Sequence, residues 1–499
     1  MKSPALKILA LSIILGSFLR VYKLNTNYVW FNDTFFRLTP ALEILKGVPV
    51  QYDPSMIGVT GLGLLCFSIS ENLYSVVLAV CITGILCIPL SYYFVLKLTN
   101  DERIAAVTAL FVSINPTLVA LSKVLLWDIF VLFFFLLSGI VFLSLKEKPG
   151  ILKGILLSVM LFMLFSFKLP NVLFAVVFYF FLFYSRKFSI KDSKDIIVSG
   201  VGYITLLGGF FYSFPTTLNF FTTGGGTNFF LKENYLSIVI ATLKLLFSPV
   251  SSPPTSMAFT YDMGINIFFV IGLVSLIPLV IYIRDIKNLE DLFPVTIVVT
   301  ISLLFINYGG WSHRYLTVPL FLSLVFLSYG IIKIKQKNQI IALSLILLCC
   351  VASFGLALKK TDEWASSKSL AENHVATPLS LFDSVVEMTE IEGVDTIASP
   401  YGRVFEFYFL SEKLNYEVID FYALDEVTVE REIKDSISNG KKVWYVEGWP
   451  DVYVSGGKNT IPHKKIIETS FSLDSFYVSR EMIYVSDGIY PSLVIYEVR

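Results

Sequence analysis

Residues 128–145 read DIFVLFFFLLSGIVFLSL, and their only charge stands at the first position. A run of that length and composition matches the roughly 17 to 25 residues needed to cross a bilayer, whereas a buried helix of a water-soluble domain is usually shorter. The run is preceded by Ser122-Lys123-Val124-Leu125-Leu126-Trp127 and followed by Lys146 and Lys148, so it is bracketed by polar groups on both sides. Reading outward, comparable apolar runs fall at about 5–22, 72–96, 104–121, 151–167, 169–185, 196–214, 264–283, 293–309, 315–332 and 338–357. The expected fold class is therefore an α-helical polytopic membrane bundle of about eleven transmembrane helices.

The whole composition agrees. Of 499 residues, 55% are apolar and only 16% charged, too little charge for a soluble chain of this size. The formal net charge is zero, but it divides unevenly: residues 1–358 hold 25 Lys/Arg and 15 Asp/Glu, and residues 359–499 hold 14 and 24. Two environments meet near residue 360, which predicts a transmembrane domain over 1–358 and a soluble domain over 359–499. The five cysteines (Cys66, Cys81, Cys87, Cys349 and Cys350) sit in or beside apolar runs and suggest neither a disulfide framework nor a zinc site. Three scattered histidines do not suggest a His-built metal centre. Met1–Tyr22 has the basic start of a signal peptide without a small-residue cleavage site, and is kept as the first span.

With the N-terminus cytoplasmic, the inner connections hold sixteen Lys/Arg and the longer outer ones nine, in accord with the positive-inside rule. An odd number of spans then places residues 359–499 outside the cytoplasm, and the expected location is a multi-pass protein of the cell membrane. Two outer loops accompany that domain, 24–71 and 215–262. In the first, Phe35, Leu38, Leu42 and Leu45 repeat at helical spacing and Gly47 supplies a stop. This predicts a helix lying flat on the membrane surface, with Pro40 at a kink or a helix start. The second loop, with Gly224-Gly225-Gly226 and Ser251-Ser252-Pro253-Pro254, reads as a cover. In the C-terminal domain β-rich runs (394–399, 416–421, 442–446) alternate with helical ones (402–411, 425–439), the pattern of a small parallel α/β sheet. No glycine fingerprint for a dinucleotide follows its first strand, and nothing indicates nucleic-acid binding.

No Asp, Glu, Lys, Arg or His lies well inside a predicted span, which argues against an ion-coupled transporter. Instead Asp33, Lys123, Asp128, Lys168, His313 and Arg314 all fall where the topology meets the outer surface. Singly, each has a plain structural reading: Asp33 and Asp128 as helix caps, Lys123 and Lys168 as cations reaching for the interface. Together they suit a reaction. Arg and Lys would stabilise a departing phosphate, and a carboxylate would take the proton of an attacking hydroxyl. That chemistry is a single displacement at a sugar carried on a lipid phosphate.

The same residues and their order resemble the C-type membrane glycosyltransferases, in particular the branch of protein O-mannosyltransferases and lipid A aminoarabinose transferases. Arg20-Val21-Tyr22 leads to Trp30-Phe31-Asn32-Asp33, Asn115-Pro116 precedes Ser122-Lys123 and Asp128, Phe167-Lys168-Leu169-Pro170 follows, and Arg314-Tyr315-Leu316-Thr317-Val318-Pro319 comes late. The resemblance implies Asp33 as catalytic base, Asp128 as its supporting acid, and Lys123, Lys168, His313, Arg314 and Tyr315 as donor-phosphate contacts. Trp30, Tyr52 and Asp53 would be acceptor or loop contacts. Three departures stand out: Asn32-Asp33 in place of Asp-Glu, Lys123 in place of Arg, and Tyr52-Asp53-Pro54 in place of a Pro-Pro-Leu segment.

The implied partners are a polyprenyl-phosphate-linked sugar, membrane lipids, and a glycan, lipid or protein acceptor. No metal is expected, the alternative being Mg²⁺ or Mn²⁺ held by Asp33 and Asp128. Two other functions fit parts of the pattern: a lipid-linked-sugar flippase, and a non-catalytic membrane protein displaying a glycan- or partner-binding domain.

Overall fold

The computed structural model of the chain describes residues 3–24, 28–29, 32–48, 57–70, 72–123, 125, 127–214, 276–286, 288–307, 316–335, 338–365, 377–399, 402–412, 414, 416–420, 426–448, 483–486 and 491–498. Among them the helices run, in chain order, α1 Pro4–Val21, α2 Asn32–Lys46, α3 Ile57–Ile69, α4 Leu73–Thr99, α5 Glu102–Ile114, α6 Pro116–Leu121, α7 Asp128–Glu147, α8 Ile151–Phe167, α9 Val172–Ser185, α10 Lys194–Ser213, α11 Leu276–Asp285, α12 Phe293–Asn307, α13 Thr317–Lys335, α14 Gln339–Ala365, α15 Leu379–Glu392, α16 Gly402–Glu412 and α17 Glu426–Ser438. The strands are β1 Tyr28–Val29, β2 Thr377–Pro378, β3 Thr396–Ser399, β4 Glu417–Asp420, β5 Val443–Gly448, β6 Ile483–Ser486 and β7 Pro491–Val498. The chain divides into two compact units: Met1–Leu24, Ser55–Val59 and Val77–Asp362 form the first, and Asn25–Pro54, Thr60–Val76 and Glu363–Arg499 the second.

The first unit is helical. Among the described residues α1, α4, α7 and α10 are long and apolar enough to cross a membrane, and shorter apolar helices include α8, α9 and much of α12, α13 and α14. Large apolar side chains on α14 (Ile340, Leu343, Leu347, Leu348 and Val351) are exposed, as suits a helix whose solvent is hydrocarbon. The interior is built on phenylalanine. Phe142 meets Phe293 at 4.8 Å and Phe178 at 4.9 Å between ring centroids, and Phe94 meets Phe321 at 5.7 Å. Such tilted and edge-on rings add specific attraction to their area burial. Gly139 is what lets Phe94 lie against α7, because a Cβ there would run into the Phe94 ring.

One expected span is corrected. The apolar run 104–121 is not one helix but two, α5 and α6, broken at Asn115-Pro116. Asn115 turns out of the helix (φ −61°, ψ 123°), and its side chain accepts from Leu118 N at 3.1 Å. Pro116 takes the first helical position, where its missing N–H costs nothing. The expected loop 215–262 and the first part of the expected span 264–283 lie outside the described residues.

The second unit carries a five-stranded sheet in the order β4-β3-β5-β7-β6. β3 runs parallel to β4 and β5, while β7 is antiparallel to both β5 and β6, so the sheet is mixed rather than purely parallel. Ala398, Ile419, Val443, Tyr445 and Val498 from the sheet and Val429 and Ile433 from α17 form its core. Gly440, at φ +76°, ends α17 in the left-handed conformation that favours glycine.

Helix α2 belongs to this second unit, and here the sequence expectation is changed in detail. Pro40 sits inside the helix, and Gly47 (φ +66°) follows its end. Of the apolar stripe, Phe35, Leu38 and Leu42 are fully buried, and α2 packs on α16. Phe35 meets Phe407 edge-on at 5.2 Å. The stripe expected to face the membrane surface is thus covered by protein, leaving Ile44 and Leu45 exposed.

Candidate active site

The site is best built from the turn between α6 and α7 in the first unit. Helix α6 is short, and it ends at Ser122, whose hydroxyl donates back to Leu118 O at 2.6 Å. Six residues later Asp128 opens α7 and lies in its first turn. A carboxylate there is favoured by the unpaired N–H groups and the positive end of the helix dipole. On the neighbouring connection, α8 stops at Phe167 and Lys168 takes an extended conformation (φ −164°, ψ 111°) before a single 3-10 turn, Leu169–Asn171. Pro170 in that turn prevents α8 from continuing, and Asn171 Nδ2 donates to Leu164 O at 2.8 Å to hold the corner.

The two corners meet. Lys168 Nζ donates to Asp128 Oδ1 in an ion pair whose side chains are 12% and 5% exposed. Phe167, the residue before Lys168, stacks on Phe130 at 4.9 Å with the planes nearly parallel, and on Phe134 at 5.4 Å, joining α8 to α7. The carboxylate of Asp128 is buried with a cation rather than standing as a solvated cap.

Lys123 does something different from Lys168. It is 4% exposed, and its ammonium donates to Tyr22 O and, at 3.4 Å, to Leu19 O. These are carbonyls at the C-terminal end of α1, where a cation is favoured by both hydrogen bonding and dipole. The ammonium also lies 6.0 Å from the Tyr22 ring centroid.

Beside it lies Arg20, which the sequence reading used only as part of a motif. Its side chain is completely buried. Nε donates to Ser122 Oγ at 3.2 Å, Nη1 to Ser113 O at 2.9 Å and Gly16 O at 3.1 Å, and Nη2 to Val112 O at 3.2 Å. The guanidinium therefore ties α1 to the end of α5 and to the residue before Lys123. It fits because positions 16 and 84 are glycines: a Cβ on Gly84 would strike Ser122 and come within 3.1 Å of Arg20 Nε. A fork of five donors suits this set of acceptors. The available signal was an arginine at the end of an apolar helix, one turn after a glycine.

Asp33 lies in the first turn of α2, in the second unit. His313, Arg314, Tyr315, Trp30, Tyr52 and Asp53 lie outside the described residues. Of the residues predicted for the site, the structure thus brings together Asp128 with Lys168 and sets Lys123 on the end of α1. Among the described residues no three His, Cys, Asp or Glu side chains gather as a metal cluster would.

No curated protein matches the sequence. Residues 67–222, which include Lys123, Asp128 and Lys168, match the family described as dolichyl-phosphate-mannose-protein mannosyltransferase. Among solved structures, ArnT from Cupriavidus metallidurans bound to undecaprenyl phosphate is 12% identical, with a TM-score of 0.56 over 99% of this chain and 97% of that one. The same protein in the apo state gives 0.57 at 12% identity over 99% and 98%. The archaeal oligosaccharyltransferase AglB from Archaeoglobus fulgidus, in complex with an inhibitory peptide and a dolichol-phosphate, is 13% identical, with a TM-score of 0.55 over 89% of this chain and 69% of that one. The chain therefore shares the fold of ArnT and of the archaeal oligosaccharyltransferase AglB, and carries over residues 67–222 a segment matching the protein mannosyltransferase family.

Proposed function

We propose that the protein is a membrane glycosyltransferase that moves a sugar from a polyprenyl-phosphate carrier to a hydroxyl acceptor on the extracytoplasmic face. The observation that carries this reading is the buried Asp128–Lys168 pair at the meeting of two helix corners, inside the segment that matches the mannosyltransferase family. ArnT and AglB, whose fold the chain shares, hold undecaprenyl phosphate and dolichol-phosphate in their structures. The neighbours' ligands support a lipid-phosphate-linked sugar as the donor here, with the lipid phosphate as its leaving group.

In the reaction the acceptor oxygen attacks the anomeric carbon of the donor sugar. The new bond is acceptor O–C1, the bond that breaks is C1–O of the phosphate, and its electron pair leaves on the phosphate oxygen. Asp33 takes the acceptor proton, Asp128 supports the site, and Lys168 and Arg314 stabilise the leaving phosphate, a role in which His313 and Tyr315 are assigned to share. One displacement inverts the anomeric centre. A lysine already neutralised by Asp128 can swing toward an arriving phosphate without ever being a lone buried cation. Lys123, seated on the α1 carbonyls, would hold the same corner and present positive potential to the donor. Trp30, Tyr52 and Asp53 are assigned to the acceptor side.

This reading includes eleven spans, a cytoplasmic N-terminus and an extracytoplasmic C-terminal domain. It needs no metal, since the cations serve the leaving group. Mg²⁺ or Mn²⁺ between Asp33 and Asp128 is the alternative, and loss of turnover in EDTA with recovery on adding either ion would establish it. The test of function uses the full chain in nanodiscs with labelled dolichyl-phosphate mannose and, separately, undecaprenyl-phosphate aminoarabinose, together with hydroxyl-bearing peptides and lipid A. Release of free polyprenyl phosphate with label on an acceptor supports the assignment. In proteoliposomes, movement of intact donor between leaflets without release would instead identify a flippase.

A further inference from the structure

The helix that carries Asp33 is fixed, within the second unit, by a buried charge cluster that the reaction itself does not use. Arg403, in the first turn of α16, is completely buried; Glu43, near the end of α2, is 2% exposed. Arg403 Nη1 lies 3.5 Å from Glu43 Oε1 and donates to Glu406 Oε2, one helical turn along α16. One guanidinium therefore joins two carboxylates, one of them on α2. Thr39 Oγ1 adds a bond from α2 to Arg403 O at 3.2 Å. The rings of Phe35 and Phe67 close on Phe407, at 5.2 and 5.6 Å between centroids.

A second tether holds the chain just before α2. Tyr28 and Val29 pair as a strand with Pro378 and Thr377, so residues 28–46 are gripped by the C-terminal part of the chain at both ends. Only three residues separate β1 from Asp33. A bland reading of the cluster is available, since buried ion pairs often only replace what an apolar core would do. It accounts less well for the placement. Ionic groups are costly to bury, yet they are used here where two chain segments far apart in sequence must dock at one register, and polar pairs are good at fixing registers.

We propose that Arg403, Glu43 and Glu406 form a positioning device that sets the register of α2 on the C-terminal domain and thereby aims Asp33. None of the three touches the reacting atoms in this scheme. The inference rests on Asp33 being the catalytic base. A misplacement of about 1 Å at a reacting group costs on the order of a hundredfold in rate, so a small slip of α2 is enough to matter.

The test uses full-length protein in nanodiscs, with spin labels at the exposed positions Leu45 on α2 and Val427 on α17, and labelled dolichyl-phosphate mannose with hydroxyl-bearing peptides as the activity probe. In Glu43→Gln the distance distribution between the labels shifts or broadens, and kcat falls by roughly 10- to 100-fold while the donor KM stays within about twofold. The swap Glu43→Arg with Arg403→Glu, which again places one cation between two carboxylates, narrows the distribution and recovers turnover. Normal kcat in Glu43→Gln despite a displaced α2, loss of kcat with the distances unchanged, or a folded swap that stays as inactive as the single variant overturns the proposal. Asp33→Asn in the native background separates the two ideas. Full turnover there removes the base assignment, whereas an inactive Asp33→Asn beside a fully active Glu43→Gln removes only the positioning role.

Discussion

Removing one member of the Asp128–Lys168 pair should destabilise the first unit more than removing both. Breaking a buried ion pair from one side leaves an uncompensated charge and typically costs roughly 3–5 kcal/mol. Here each survivor has some relief. Asp128 sits at the N-terminal end of α7 and Lys168 at the C-terminal end of α8, where the helix dipoles favour their respective signs. That relief is about 1 kcal/mol, so the expected loss is about 2–4 kcal/mol for either Asp128→Leu or Lys168→Met. The double variant removes both charges and should lie within about 1 kcal/mol of the native protein, a coupling of at least about 3 kcal/mol in the double-mutant cycle. Unfolding of this unit can be followed with a thiol-reactive dye, because its Cys81, Cys87 and Cys349 are buried in the folded chain. Transfer activity should be absent in all three variants, including the restored double. Single losses that simply add in the double variant would refute the argument that the pair is a coupled unit, and an active double variant would refute its place in the site.

Two further outcomes follow from neighbouring residues. Arg20→Lys replaces five donors by three and leaves acceptors among Ser122, Ser113 and Val112 without their partner. Each orphaned buried acceptor costs about 1–3 kcal/mol, so this conservative change should visibly lower the midpoint in the same dye assay, whereas Lys7→Arg should not. In the second unit the hydrogen bond from Lys441 holds the Glu417 carboxyl below its ordinary 4.5, aided by Thr396 and Ser436. A depressed carboxylate contributes stability that is present above its unfolded value and lost as pH falls through the folded one. The unit should therefore lose stability below about pH 4.5, and Lys441→Met should flatten that fall by less than about 1 kcal/mol because both groups are half exposed; a circular-dichroism melt against pH reads it.

Much of the fold was legible because the bilayer imposes a simple rule on apolar runs. The run 128–145 became α7, which continues to Glu147, and 151–167 became α8 with unchanged bounds, since nothing within them offers the backbone another partner. The run 104–121 misled for a local reason: hydropathy does not register that Asn115 can cap and that Pro116 must start a helix. The stripe Phe35, Leu38, Leu42 was correctly read as one face of a helix, but periodicity cannot say whether lipid or protein covers a face, and α16 does. In the site, Asp128 and Lys168 could be nominated by their places at span ends, yet forty residues apart their pairing depends on how two corners pack. Arg20 and Arg403 were harder still. An arginine beside or beyond an apolar run looks like a surface cation, and only the acceptors gathered from distant segments reveal a buried one.

The central claim is that a lipid-phosphate-linked sugar is transferred here with Asp33 as the base. The most direct measurement is transfer of labelled sugar from dolichyl-phosphate mannose or undecaprenyl-phosphate aminoarabinose by the purified protein and by Asp33→Asn, each checked for native folding and for donor binding. The account predicts turnover by the native chain and, for Asp33→Asn, donor binding retained while the rate falls by at least about a hundredfold, the scale of a positioned general base. Equal turnover by Asp33→Asn, or binding of the donors by the native protein with no sugar transferred to any acceptor, would contradict it.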